Sequence, residues 1–207
     1  MKIDRYKIYT LDGYTYENFV SLDRKELEMI LTWRNHAEVR KWMMNTAPIT
    51  LEDHLAYVES LKQRDDAYYW LVRRGGIPVG VLNIMGEGIQ EGIGEPGFYL
   101  APEVLNRGEG ILLLQNYKKL FLNILDFEIL LGHNYVENVN ALQLSLFFGA
   151  KIDGVIEKSG RKYISISLRK ENFKDFRNEN IVLSFVRYKR NNPVSISDIL
   201  LKYNCHE

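Results

Sequence analysis

The sequence predicts an α/β domain with a mixed sheet. Stretches of helical and strand periodicity alternate along the chain, and two turns, Arg74-Gly75-Gly76 and Ser159-Gly160-Arg161, each separate a pair of strand-like runs. A Gly-x-Gly also opens a long apolar helix shortly after a strand. From Asp23 to Met44, Leu27, Ile30, Leu31, Val39, Trp42 and Met43 fall at helical spacings around polar Arg34-Asn35-His36, which predicts two short helices with an elbow between them. Trp42, Met43 and Met44 read as core. Thr50 and Asp53 stand in capping-box spacing before Leu51, Leu55, Val58 and Leu61, so a helix runs from Thr50 to Leu61. Strands follow at Tyr68 to Arg73 and Pro78 to Ile84, then at Ile93 to Leu100. Pro96 lies inside the third of these; because proline donates nothing to a ladder, that strand is at an edge, bulged, or splayed from a neighbour. A helix from Glu109 to Leu125, a strand from Glu128 to Tyr135 and a helix from Asn138 to Phe148 come next. A closing hairpin is read at Ile152 to Lys158 and Tyr163 to Leu168. Beyond Asn172 the sequence holds one apolar run, Ile181 to Val186, and a short helical stretch from Ser197 to Tyr203.

At 207 residues the chain suits one domain with a substantial core. The expected division is a domain over 1–172 and a C-terminal extension over 173–207. Lys plus Arg equals Asp plus Glu, 27 each, so the basic excess that phosphate-backbone binding requires is missing and nucleic acid is not an expected partner. MKIDRYKIYTLDGY interleaves charge with single apolar residues, unlike a signal peptide or a membrane span, which predicts a cytoplasmic protein with no membrane partner. Four scattered histidines and one cysteine, Cys205, offer no metal-ligand spacing and no internal disulfide. No metal is expected. His36, His133 and His206 in particular are too dispersed to share an ion.

The stretch Asn106-Arg-Gly-Glu-Gly-Ile-Leu-Leu-Leu114 raises the first chemical expectation. A helix beginning near Gly108 presents free backbone N–H groups and the positive end of its dipole, and glycine lets a phosphate approach them. Arg107 adds a pairing charge. The alternative reading is a loop with a glycine helix start.

Together with Asn138-Val-Asn-Ala-Leu-Gln-Leu-Ser-Leu-Phe-Phe-Gly149, this arrangement resembles the GNAT superfamily of acyl-CoA-dependent N-acetyltransferases. Gly108 and Gly110 match its pyrophosphate loop, and Asn138, Ala141 and Gly149 match its later helix. Leu105 stands where the family carries Gln or Arg, and Ser145 stands where it carries a tyrosine that protonates the departing thiolate. The resemblance implies a mixed, mostly antiparallel central sheet of about seven strands with flanking helices, splayed at the acetyl-CoA site. Within the superfamily, Trp33-Arg-Asn-His36, Arg40-Lys-Trp-Met43, Ile49-Thr-Leu-Glu-Asp-His54-Leu and Gly97-Phe-Tyr99 are similar to the N-acetyltransferases of nucleotide-linked 4-amino sugars in the pseudaminic acid pathway. Trp-Arg-Asn with a downstream His also resembles the ribosomal-protein N-terminal acetyltransferase branch.

On that resemblance acetyl-CoA is the co-substrate. Its pyrophosphate is expected on the amides of Arg107, Gly108, Glu109, Gly110 and Ile111, and its arm beside Leu100 and Asn138. Glu95 is the first candidate for proton acceptor; Tyr99 and Ser145 are candidates for the acid. Arg34, His54, Asn83 and Tyr99 are implied at the acceptor, a small-molecule amine and in particular a nucleotide-sugar. His54 is the second candidate base, because an imidazole titrates near neutral pH. Alternatives are a protein N-terminus or another small amine as acceptor, and a non-catalytic CoA-binding module. A homodimer is the favoured assembly.

Overall fold

A computed structural model describes residues 3–158 and 160–203; Cys205 and His206 lie outside it, as does Ser159 of the second predicted turn. One sheet of eight strands organises the chain, in the order β1-β2-β3-β4-β5-β6-β8-β7. The strands are β1 (Tyr9–Leu11), β2 (Tyr14–Asn18), β3 (Ala67–Arg74), β4 (Ile77–Met85), β5 (Ile93–Leu100), β6 (Ile129–Tyr135), β7 (Lys151–Lys158) and β8 (Arg161–Arg169). Every pairing is antiparallel except that of β5 with β6. The implied count of about seven is therefore corrected to eight. The hairpin of β1 and β2 escaped the sequence reading because its buried Tyr9, Tyr14 and Tyr16 are spaced among charged and polar residues.

The helices are α1 (Arg24–Asn35), α2 (Ala37–Arg40), α3 (Leu51–Ser60), α4 (Glu109–Lys119), α5 (Val139–Phe147), α6 (Ile181–Asn191) and α7 (Ile196–Tyr203). Asp23 and Glu26 close a reciprocal capping box on α1, and Thr50 caps α3 through the amide of Asp53. The predicted helix from Glu109 to Leu125 is α4 followed by a wider, π-type turn over Leu120–Ile124.

Alternation along β3 divides the core. Ala67 and Leu71 face Phe19, Leu27, Ile30 and Trp33, the layer built by α1 and α3. Tyr68, Trp70 and Val72 face Tyr117, Phe121 and Phe147 on the side of α4 and α5. Trp42 and Met44 belong to neither layer: they are 47% and 72% exposed, which corrects their assignment to the core. Helical spacing groups them with Val39, yet helix α2 stops at Arg40 and turns follow.

The segment beyond residue 172 is part of the same core, with Phe173, Phe176, Phe185 and Tyr188 packed against it. Phe176 stacks on Phe147 of α5 at 4.3 Å, and Tyr203 of α7 donates to the Ile152 carbonyl at 3.2 Å. Gly149 is the hinge of this packing. Its φ is +99°, and a Cβ placed on it would lie 2.0 Å from the Asn172 carbonyl oxygen. Gly149→Ala should therefore lose about 2–3 kcal/mol of stability, read as a lower urea midpoint. An unchanged midpoint would show that the 172–173 segment relaxes freely.

Candidate functional site

The site begins where the sheet comes apart. Strand β5 stays paired with β4 from Glu95 to Leu100, but pairs with β6 only at Ile93↔Ile129 and Gly94↔Leu130. Beyond those residues β6 follows β8 as far as Tyr135↔Tyr163. Of the options left open for Pro96, the structure takes the splay, and the proline lies in the parted stretch. The β6-facing edge of residues 95–100 is thus free of a strand partner, and its backbone groups are offered to whatever lies in the cleft. Gly97 is also constrained: a Cβ there would meet Asn83 Oδ1 at 2.8 Å, so the Asn83 amide rests close over the backbone of β5.

Helix α4 starts beside this cleft. Gly108 is its N-cap residue, in the left-handed region at φ +82°, and offers no capping side chain; Asn106 precedes it at φ +60°. Among the described residues, none accepts a hydrogen bond from the backbone amides of residues 107–110, whereas the Ile111 amide, expected with them, donates to the Gly108 carbonyl at 3.2 Å because it closes the first turn of the helix. Gly110 lies against Leu100, with 3.5 Å from a Cβ position to Leu100 Cδ1. Arg107 is exposed and pairs with no acid among the described residues. Glu109 is buried at the first helical position, where its negative charge opposes an incoming anion only in part. Arg74 donates to its Oε2 at 2.8 Å and the Tyr14 hydroxyl donates to its Oε1 at 2.6 Å. Burial, reinforced by that carboxylate, holds the Tyr14 hydroxyl far above its usual range, so it remains a donor. The loop thus presents free amides, a helix dipole and one unpaired cation, which suits a diphosphate.

Across the mouth of the split, His133 Nδ1 of β6 lies 2.8 Å from Glu95 Oε1 of β5. Both line a cavity of about 210 Å³, together with Trp42, Met44, Tyr135 and Asn138. The Asn138 Oδ1 caps α5 through the Ala141 amide at 3.2 Å, leaving its Nδ2 as a donor toward the opening. The cavity therefore brings Glu95 and Asn138 together and adds His133, Trp42 and Tyr135, which the sequence reading did not select.

The remaining candidates sit on the α1/α3 face or in α5. Arg34 donates through Nη2 to the Asn45 carbonyl at 2.8 Å, while its buried Nη1 has no partner among the described residues. Burial lowers its pKa, with the Tyr99 and Tyr69 hydroxyls nearby. Tyr99 is raised by burial and stays protonated. His54 is buried with its ring edge toward Phe19, and its Nε2 also lacks a partner among the described residues. Neither Tyr99 nor Ser145 lines the cavity. Ser145 is buried in α5, where its carbonyl accepts from the Ala150 amide at 3.1 Å. Among the described residues no cluster of His, Cys, Asp and Glu could hold a metal ion, and no helix is long and apolar enough to cross a membrane.

No protein-family profile matches the chain. The acetyltransferase PseH of Campylobacter jejuni subsp. jejuni serotype O:2 is 30% identical over 128 residues, covering 62% of this chain and 78% of that protein. The crystal structure of the C. jejuni N-acetyltransferase PseH in complex with acetyl coenzyme A superposes with a TM-score of 0.58 at 23% identity, over 75% of this chain and 98% of that one. A spermidine N-acetyltransferase from Vibrio cholerae, solved with CoA and spermine, gives 0.67 at 15% identity, over 78% and 98%. Both superpositions carry the fold.

Burial of His54 yields a pH dependence. Desolvation lowers its pKa below the ordinary 6.5, partly offset by a hydrogen bond with the Leu27 backbone. The unfolded chain therefore binds that proton more readily than the folded one, and the associated stability is full above about pH 6.5 and lost as pH falls below it. Urea midpoints should drop between pH 7 and pH 5, and His54→Gln should make the drop shallower; parallel pH profiles would refute this role.

Proposed function

Because the chain belongs to the GNAT superfamily of N-acetyltransferases, we propose that it acetylates the amine of a nucleotide-linked amino sugar at the split between β5 and β6. It is an acetyl-CoA-dependent N-acetyltransferase for a small-molecule amine; the sugar nucleotide is the finer part of the reading. The observation that carries it is the joint placement of an amide-lined helix start and the Glu95–His133 pair at one opening of the sheet.

Acetyl-CoA supplies the thioester carbonyl that the amine attacks. The amides of residues 107–110, with Arg107, hold its diphosphate, and the Asn138 Nδ2 and the free edge of β5 near Leu100 hold its arm. Glu95, oriented by His133, accepts the proton that the amine must shed to become nucleophilic. The N–C bond forms as the C–S bond breaks, and the second proton lost by the nitrogen passes through water to the departing thiolate, since neither Ser145 nor Tyr99 lines the cavity. Holding amine and thioester in one cleft supplies a large share of the rate without further side-chain chemistry.

Charge argues for the acceptor class. Polyamines and aminoglycosides are polycations and call for carboxylates, whereas the cavity sets one acid, Glu95, against Lys158, with Arg161 on the adjoining Tyr135 ring. Arg34 lies apart from these, near Tyr99 and Tyr69 on the α1/α3 face. Such surroundings favour an acceptor that carries negative charge. The relative named PseH and the Trp33-Arg-Asn-His36 and Gly97-Phe-Tyr99 motifs support the same reading.

Calorimetry should show acetyl-CoA binding, and a sugar nucleotide should raise the melting temperature where spermidine does not; the reverse pattern would overturn the acceptor class. Glu95→Gln should lower kcat by about 10²–10⁴ with acetyl-CoA binding retained. Ser145→Ala should stay within about threefold, under about 1 kcal/mol of barrier. A hundredfold loss in Ser145→Ala would return the acid role to that hydroxyl.

A further inference from the structure

The hairpin of β7 and β8 ends on two cations. Lys158 and Arg161 are opposite partners in the ladder, directly after Glu157 and Lys162, which face each other as opposite charges. Like charges in register repel, and a hairpin end that keeps two of them has no folding benefit from doing so. Among the described residues no carboxylate pairs with either one. The Arg161 guanidinium instead lies 5.3 Å from the centre of the Tyr135 ring, and its Nη1 donates to the Tyr135 hydroxyl at 3.1 Å. Its other donors remain available.

This pair stands at the rim of the cavity that holds Glu95 and His133, and Lys158 is one of the lining residues. The walls between are aromatic. Tyr135 and Tyr163 lie 4.5 Å apart at 30°, and Trp42 faces the same space. Tyr135 also reaches the Met43 carbonyl at 3.4 Å, which fastens the exposed segment around Trp42 and Met44 to the mouth of the split. At about 210 Å³ the cavity is smaller than the roughly 300–1,000 Å³ of a site that encloses a whole drug-sized ligand. A space of this size encloses only part of such an acceptor, and it is bounded on one side by Lys158, with Arg161 on the adjoining Tyr135.

We propose that Lys158 and Arg161 form the anion subsite of the acceptor pocket, receiving the phosphate or diphosphate of an acceptor whose amine-bearing ring packs against Trp42, Tyr135 and Tyr163. The inference rests on the acceptor class proposed above and adds to it which end of the molecule is held where. The ring lies on aromatic faces with its amine directed to Glu95, and the diphosphate relieves the repulsion between the two cations. This differs from a site in which Arg34 alone would take the phosphates.

The test is calorimetry of the full-length chain in the presence of CoA, with UDP-glucosamine and glucosamine as probes. The unaltered protein should bind UDP-glucosamine at least tenfold tighter than glucosamine, with a difference that shrinks as salt rises. Lys158→Ala with Arg161→Gln should weaken UDP-glucosamine tenfold or more, and glucosamine and acetyl-CoA less than twofold. The single change Lys158→Ala, which leaves the Arg161–Tyr135 contact in place, should give part of the same loss. If the double variant binds UDP-glucosamine as the unaltered protein does while Arg34→Ala loses it, the diphosphate belongs at Arg34 and the inference falls alone. If the unaltered protein shows no preference for the nucleotide-linked probe, the acceptor class falls and the inference with it.

Discussion

Everything in this molecule that bears on chemistry depends on two neighbouring strands ceasing to pair after two residues. The sheet is continuous up to Gly94↔Leu130 and divided beyond it. Gly94 allows the close approach that precedes the division, since a Cβ there would meet Ile84 Cδ1 at 2.7 Å and Phe127 Cε1 at 3.1 Å. Pro96, two residues on, has no N–H with which to extend the ladder. A backbone edge left unpaired in a protein interior is costly unless something else takes its hydrogen bonds. An extended, amide-containing arm is a natural occupant, and helix α4 begins close to where such an arm would end in a diphosphate.

Electrostatics then divide a chain of zero net charge into regions of definite sign. At the start of α4 the one acid, Glu109, is tied to Arg74 and Tyr14, so the free amides and Arg107 set the local potential. Among the described residues that line the cavity the one acid is Glu95, and it is engaged by His133. Formal net charge is silent about such local imbalance, which sets the potential that a small ligand meets.

The order of elements was readable because local chemistry decides it. Thr50 with Asp53 and the Ile93 to Leu100 run each carry their own signal, and the structure places element ends within a residue or two of them. The hairpin of β1 and β2 was not readable, since its tyrosines are buried by α4 through contacts such as Tyr16 to Asn116, a hundred positions away in sequence. The site shows the same limit. Glu95, Asn138 and the glycine loop were visible as motif members. His133 gained its meaning only from the register between β5 and β6, and Trp42 only from the departure of its segment from the core. Ser145, prominent in the motif, is buried in α5 away from the cavity.

The splayed strand also divides its own side chains between the two faces of the sheet. Residues 95, 97 and 99 lie on the face that β4 lines with Met85, Asn83 and Val81, the side of α1 and α3. Residues 98 and 100 turn to the other face, where Phe98 meets Tyr117 at 5.5 Å and Leu100 meets Gly110. The two-residue period of an extended chain thus sends alternate side chains to the side of α1 and α3 and to the side of helix α4. An insertion or deletion of one residue in β5 would exchange the two sets, moving Glu95 away from His133 while leaving composition almost untouched. Spacing along this strand, more than the identity of any single residue on it, is therefore what fixes which side chains meet at the opening.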